Sequence, residues 1–300
     1  HLGALWDQPA LWREAEKVAQ VIPALIEKDN RLDIIAGAAG AIVALLNLYR
    51  VQPSPQLLET AMQCGEHLLR RQTKMDVGSG WLNHIAPRVP LTGFSHGTAG
   101  IAWSLLQLAN VTGDARFYDT AVEAITYERH LFMSDHANWQ DLRLAQRGDM
   151  PETCGCALAW CHGAPGIGLG RLLSLPYWND ATMQQEINVA LSTTLQTSLG
   201  SDHPGFGRNF SLCHGDLGNL ETLLMANQQL GTDSALDTAL YLKLSRILDD
   251  MEHNGWLCGV PQGLQTPGLM TGIAGIGYQL LRLARPEQVP SVLGLQGPII

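Results

Sequence analysis

Hydrophobic positions along the chain fall into a repeating pattern. Five times, a Gly-x-x-Gly pair precedes a run in which leucine returns at helical spacing. The pairs are Gly37/Gly40, Gly97/Gly100, Gly163/Gly166, Gly215/Gly218 and Gly272/Gly275. Successive first glycines are 60, 66, 52 and 57 residues apart. The runs are apolar nearly all round, as in Ile101-Ala102-Trp103-Ser104-Leu105-Leu106. A helix of that kind is buried on most sides. Between the runs lie amphipathic stretches with their charges on one face: Pro55 to Arg71, Asp114 to Met133, Ala181 to Leu199 and Thr232 to Met251. The pattern predicts a buried helix, a surface helix and a loop of ~10–20 residues, repeated. No segment alternates with period two over a convincing length, so the expected fold class is all-α. Repeated helical hairpins stack as an open solenoid or close into an α/α toroid with inner and outer helix rings. The toroid is the expected architecture, with the starts of the inner helices gathered at one mouth. A single Gly-x-x-Gly pair is ordinary helix packing; five in register are not explained that way.

The two residues before each first glycine carry the chemistry. They are Ile35-Ala36, Ser95-His96, Cys161-His162, Cys213-His214 and Met270-Thr271. Cys161 and Cys213 belong to neighbouring units, so their side chains are expected to converge at the mouth. Two thiolates and an imidazole suit tetrahedral Zn²⁺, and three protein ligands leave a fourth position open for chemistry. The column alone does not separate His162 from His214 as the nitrogen ligand, and His96 sits in the same column. Cys154-Gly155-Cys156 fits no common zinc spacing. Cys64 and Cys258 read as core or surface residues. His84, His136, His203 and His253 read as incidental loop residues.

Composition narrows the function classes. The chain has 300 residues, is 46% hydrophobic and 16% charged, and carries a formal net charge of −9. That content excludes a disordered chain, and the acidic balance excludes the basic footprint of a nucleic-acid binder. The longest apolar run, Ile34 to Leu46, has 13 residues, against roughly 18 or more for a membrane span. The start, His1 to Arg13, lacks a basic segment followed by an apolar one, so no signal peptide is expected. Six cysteines are too few for a disulfide scaffold, so a reducing, cytoplasmic setting is expected.

These residues resemble a known family. The segments are Asp33-Ile34-Ile35-Ala36-Gly37, Gly93-Phe94-Ser95-His96-Gly97, Trp160-Cys161-His162-Gly163-Ala164-Pro165-Gly166, Cys213-His214-Gly215 with Gly218-Asn219, and Gly268-Leu269-Met270-Thr271-Gly272-Ile273-Ala274-Gly275. Together they resemble the LanC-like lanthionine cyclases, and in detail the cyclase half of class II (LanM-type) lanthipeptide synthetases. The tail Val289-Pro290-Ser291-Val292-Leu293 is similar to the end of such synthetases.

The resemblance implies one zinc per chain, held by Cys161, Cys213 and His214, with His162 beside the metal. It implies His96 and Asp33 as the acid/base pair. The implied reaction closes lanthionine and methyllanthionine rings by adding a cysteine thiolate of a dehydrated precursor peptide to dehydroalanine or dehydrobutyrine. It also implies that residues 1–300 form one cyclase domain, the C-terminal part of a larger synthetase with an N-terminal dehydratase domain. The family toroid has seven inner helices, so with five units one or two N-terminal hairpins are expected to be missing. Free-standing cyclases carry an Arg shortly before the Trp-Cys pair, where Ala157 and Leu158 stand here. Two other readings compete. One is a non-catalytic LanC-like module that holds a peptide or glutathione through its zinc and thiols. The other is an α/α-toroid glycosidase, which needs two inward carboxylates; only Asp33 and Asp216 sit near the mouth.

Overall fold

The computed structural model describes residues 1–147, 155–196, 207–231 and 234–298. Two helices, α1 (Leu2–Leu5) and α2 (Pro9–Val21), precede the first glycine unit. Four hairpins follow. They pair α3 (Ala38–Val51) with α4 (Pro55–Arg71), α5 (Thr98–Thr112) with α6 (Ala115–His130), α7 (Ala164–Ser174) with α8 (Ala181–Gln196), and α9 (Asp216–Leu230) with α10 (Ser234–Asn254). The last unit contributes α11 (Ile273–Ala284). The inner row runs α3, α5, α7, α9, α11, each packed on the next, as the glycine pattern predicts. Leu199, Thr232, Cys154 and His203 lie outside the described residues.

The inner helices in the middle of the row are buried all round. Every residue of α5 from Thr98 to Leu108 and every residue of α7 is buried. The two ends of the row differ. Ala44 of α3 and Leu281 of α11 are exposed, because each end helix has a neighbouring unit on one side only. Other chain segments bridge the ends. Asn47 Nδ2 of α3 donates to the Leu295 carbonyl at 2.7 Å. Buried Arg282 of α11 pins the same tail by donating to the Pro286 and Val289 carbonyls, while its Nε holds the buried Glu221 carboxylate of α9. An apolar cavity of about 570 Å³ lies between α2, α3, α11 and this tail.

Two short hairpins depart from the all-helical pattern. Strand β1 (Gln72–Lys74) pairs antiparallel with β2 (Ser79–Trp81), and β3 (Phe132–Met133) with β4 (Asn138–Trp139). Strands of two or three residues are too short for an alternating pattern to be visible in sequence. His253 also departs from expectation: it lies in the last turn of α10 rather than in a loop.

Packing explains why five glycine pairs recur. The first glycine of each pair is the residue at which an inner helix starts. The loop before it curls back over the first helical turn. A Cβ on the second glycine would therefore land on the carbonyl oxygen six residues earlier, in Ile34, Phe94, Trp160, Leu212 and Leu269 in turn. That obstacle is backbone, so it cannot rotate away.

The same helix offers a contrast. A Cβ at Gly275 meets the Leu269 carbonyl, whereas one at Gly277 meets nothing within 4 Å. Gly275→Ala should destabilise the fold by about 1–3 kcal/mol or more, as overpacking does. Gly277→Ala should stabilise it by about 0.5–1 kcal/mol through helix propensity. Thermal unfolding midpoints moving in the same direction would contradict this account of the repeat.

Candidate metal centre

The five loops at the mouth are tied to one another by backbone. Ile34 N–H donates to the Ser95 carbonyl at 3.2 Å, and Ser95 N–H to Cys161 at 3.4 Å. Cys161 N–H donates to Cys213 at 3.2 Å, and Cys213 N–H to Met270 at 2.9 Å. The two cysteines are thus bonded neighbours in a chain of hydrogen bonds that runs from unit to unit. Polar side chains from elsewhere fix the loop that carries Cys161. Asn138 donates to the Ala157 carbonyl at 2.9 Å and accepts from Ala164 N–H, at the start of α7, at 2.8 Å. Asn219 of α9 donates to the Leu158 carbonyl at 2.9 Å.

One ligand atom from each of Cys161, Cys213 and His214 lies within 4.8 Å of the others. The imidazole of His214 is anchored from behind. Its Nε2 donates to the Gly259 carbonyl at 3.0 Å, which leaves Nδ1 to carry the ring's lone pair. An anchor of this kind fixes the tautomer and ring orientation of a metal-binding histidine. Gly259 carried no signal in the sequence, yet a Cβ there would meet His214 Nε2 at 2.7 Å. A hydrogen bond between the two thiols pulls Cys213 down to about 5, with His214 adding to the effect, while burial pushes Cys161 well up. Two thiols and an imidazole, one thiol already acidic, are a donor set suited to a soft or borderline cation.

Beside this cluster stands a second group. His96 Nδ1 meets Asp33 Oδ2 at 2.7 Å; Asp33 is fully buried, while the His96 side chain is 28% exposed. The other Asp33 oxygen accepts from Ile35 and Ala36 N–H at 3.0 and 2.9 Å. The start of α3 is capped by Asp29, at 2.8 Å from Ala38 N–H. With Nδ1 engaged, the free nitrogen of His96 is Nε2. The His162 ring lies 6.3 Å from the His96 ring, centre to centre, and outside the three-residue cluster. Its Nδ1 donates to the Thr92 carbonyl at 3.2 Å. Burial, reinforced by the Arg143 charge, lowers His162 to about 4, so it is neutral at pH 7.

The loop after β4 supplies a charge pair that sequence reading missed. Arg143 Nε donates to both Asp141 oxygens, at 2.9 and 3.0 Å. Burial works against the Asp141 carboxylate, but the guanidinium holds it below the usual range. The pair is close enough to act electrostatically on His162, and Arg143 acts on Cys161 too. Of the remaining cysteines, Cys64 and Cys258 are buried, and burial raises Cys64 to about 12. A cavity of about 540 Å³, lined by Arg208, Leu257, Val260, Pro261 and Gln262, reaches His214. Among the described residues no helix is long and apolar enough to cross a membrane.

Comparison with known proteins gives three findings. A family profile described as "Lanthionine synthetase C-like protein" matches residues 1–294. The chain is 24% identical over 274 residues to the lacticin 481/lactococcin biosynthesis protein LcnDR2 of Lactococcus lactis subsp. lactis, covering 87% of this chain and 26% of that protein. The fold is similar to that of nisin cyclase, with a TM-score of 0.66 and 17% identity, over 92% of this chain and 71% of the other. This chain therefore spans about a quarter of the length of LcnDR2.

The thiol pair has a direct test in metal-free protein. A lowered pKa keeps the thiolate present above that pKa and removes it as pH falls through it. Iodoacetamide should therefore alkylate Cys213 at pH 6, while buried Cys64, raised to about 12, stays unmodified. Peptide mapping by mass spectrometry reads both. Equal labelling of the two, or an inert Cys213, would refute the assignment of the acidic thiol.

Proposed function

The chain belongs to the lanthionine synthetase C-like family, and from that premise we propose that it is a zinc-dependent lanthipeptide cyclase. Its substrate is a dehydrated precursor peptide. A cysteine sulfur of that peptide adds to the β-carbon of dehydroalanine or dehydrobutyrine and closes a thioether ring. The observation that carries the reading is the juxtaposition at one mouth of the Cys161–Cys213–His214 cluster and the His96–Asp33 pair. We read residues 1–300 as one cyclase domain of a longer synthetase that also holds a dehydratase domain, in the reducing cytoplasm where free thiols persist.

Cys161, Cys213 and His214 are the residues that would hold the zinc. Zinc in that ligand set supplies a Lewis acid with an open position that favours the thiolate form of a substrate thiol at neutral pH. The protein's own groups do the rest. Addition to the β-carbon places negative charge on the α-carbon and its carbonyl, and that enolate must take a proton at Cα. The proton lost by the substrate thiol is taken up at His96 Nε2 and given to Cα from the same atom, while Asp33 occupies Nδ1 and steadies the imidazolium between the two transfers. Asp33 is itself held by two backbone N–H groups, so the ring is aimed rather than free to turn. His162, neutral and bonded to Thr92, lines the site beside the metal position and carries no proton to the enolate.

Zinc content and ring closure test the two halves separately. Ring closure is read as loss of alkylatable cysteine in a dehydrated precursor. Cys213→Ala should lose both the zinc and the activity. His96→Asn should keep the zinc and lose about 10²–10⁴-fold in rate, the usual contribution of a general acid. A His96→Asn protein that closes rings at the full rate would remove His96 from the mechanism. A wild-type protein with zinc and no ring closure would remove the cyclase reading.

A further inference from the structure

One cluster of buried charge is used by neither the metal site nor the proton donor. Glu128 stands on the outer helix α6, yet its side chain is fully buried and reaches inward to the mouth. Its Oε1 accepts two hydrogen bonds, from Gly93 N–H at 2.9 Å and from Thr98 Oγ1 at 3.1 Å. Those residues flank the loop that carries His96: Gly93 opens it, and Thr98 begins α5. On its other side Glu128 Oε2 faces Arg171 Nη2 of α7 at 2.9 Å. Arg171, 1% exposed, donates from Nε to Glu186 of α8, and Glu186 also pairs with Arg129 of α6. Two acids and two bases therefore lock three helices beneath one loop.

That loop abuts the metal-bearing one. A Cβ at Gly93 would meet the Cys161 carbonyl at 2.6 Å and His162 Cα at 3.0 Å. The path from Glu128 to His96, and from His96 to the cluster, thus runs through close backbone contacts with no slack. Burial raises the Glu128 carboxyl and the Arg171 charge pulls it back; Oε1 can accept both bonds in either protonation state.

We infer that Glu128 is a positioning residue for ring closure: through Gly93 and Thr98 it sets where His96 stands relative to Asp33 and to the Cys161–Cys213–His214 cluster. Arg171 is its counter-charge, and the network transmits the position of the outer helix to the proton donor. The inference rests on the cyclase reading for its consequence, and on the hydrogen bonds alone for its geometry.

The test separates the two. Glu128→Leu/Arg171→Met replaces the buried pair with apolar side chains, an exchange that folds commonly tolerate, leaves Glu186 paired with Arg129, and removes the acceptor for Gly93 and Thr98. Glu128→Gln keeps an acceptor at the same place. The first readout is the downfield proton resonance of His96 Nδ1–H bonded to Asp33, which needs neither zinc nor substrate. It should move or vanish in the double variant and persist in Glu128→Gln. The second is ring-closure kinetics. With zinc retained, the double variant should lose about 10- to 100-fold in kcat, the scale of a misplacement near 1 Å, with KM within about 2-fold, while Glu128→Gln recovers most of the rate. A folded double variant with an unchanged His96 resonance and unchanged kcat overturns the inference. Absence of ring closure in wild-type protein would sink the cyclase reading alone, since the resonance still reports on the geometry.

Discussion

Four backbone hydrogen bonds join the five loops at the mouth, running from Ile34 to Ser95, Cys161, Cys213 and Met270 in turn. Everything at the centre depends on that chain of bonds. It makes Cys161 and Cys213 adjacent although 52 residues of sequence separate them, and it does so through main chain. Such bonds are worth about 0.5–1.5 kcal/mol each in net terms. Their larger effect is geometric: they index one helical unit against the next. The glycine pairs make the arrangement possible, because the loops can form these bonds only by folding back onto their own helices.

Much of this was legible in the sequence for a physical reason. A unit repeated five times must bury the same face and make the same turn each time, so its glycines and leucines recur in register and its chemistry lines up in columns. Cys161, Cys213, His96 and the four hairpins were readable on that basis. Choosing His214 over His162 was not, because the two occupy the same column. What differs in the structure is position: a His214 nitrogen lies within 4.8 Å of both sulfurs, and His162 stands outside that cluster. Gly259, Asn138, Asp141, Arg143 and Glu128 were invisible for another reason. They act from loops and outer helices at sequence distances that follow no period, and each is a common residue in an ordinary context. The short β-hairpins were missed because two or three paired residues leave no alternation to find.

Charge is distributed by depth. The chain as a whole is acidic, yet several of its deepest acids are answered locally. Glu221 has Arg282, Glu128 and Glu186 have Arg171 and Arg129, and Asp33 has two backbone donors and His96. Removing one partner of such a set leaves a buried charge stranded, which is far more costly than replacing both. The inner helices are therefore positioned by polar pairs as well as by leucine packing. Those pairs reach the mouth, where hydrophobic contacts alone would leave the loops free to shift.

The same backbone path serves side chains as different as Ile34, Ser95, Cys161, Cys213 and Met270. The hydrogen bonds that join these positions ask nothing of the side chains, so the main chain alone does not dictate the chemistry of each slot. Reactivity and foldability are in that sense inherited separately. A lineage built on this row of loops can acquire, move or discard a reactive group by exchanging one residue in one slot, with the mouth already formed around it.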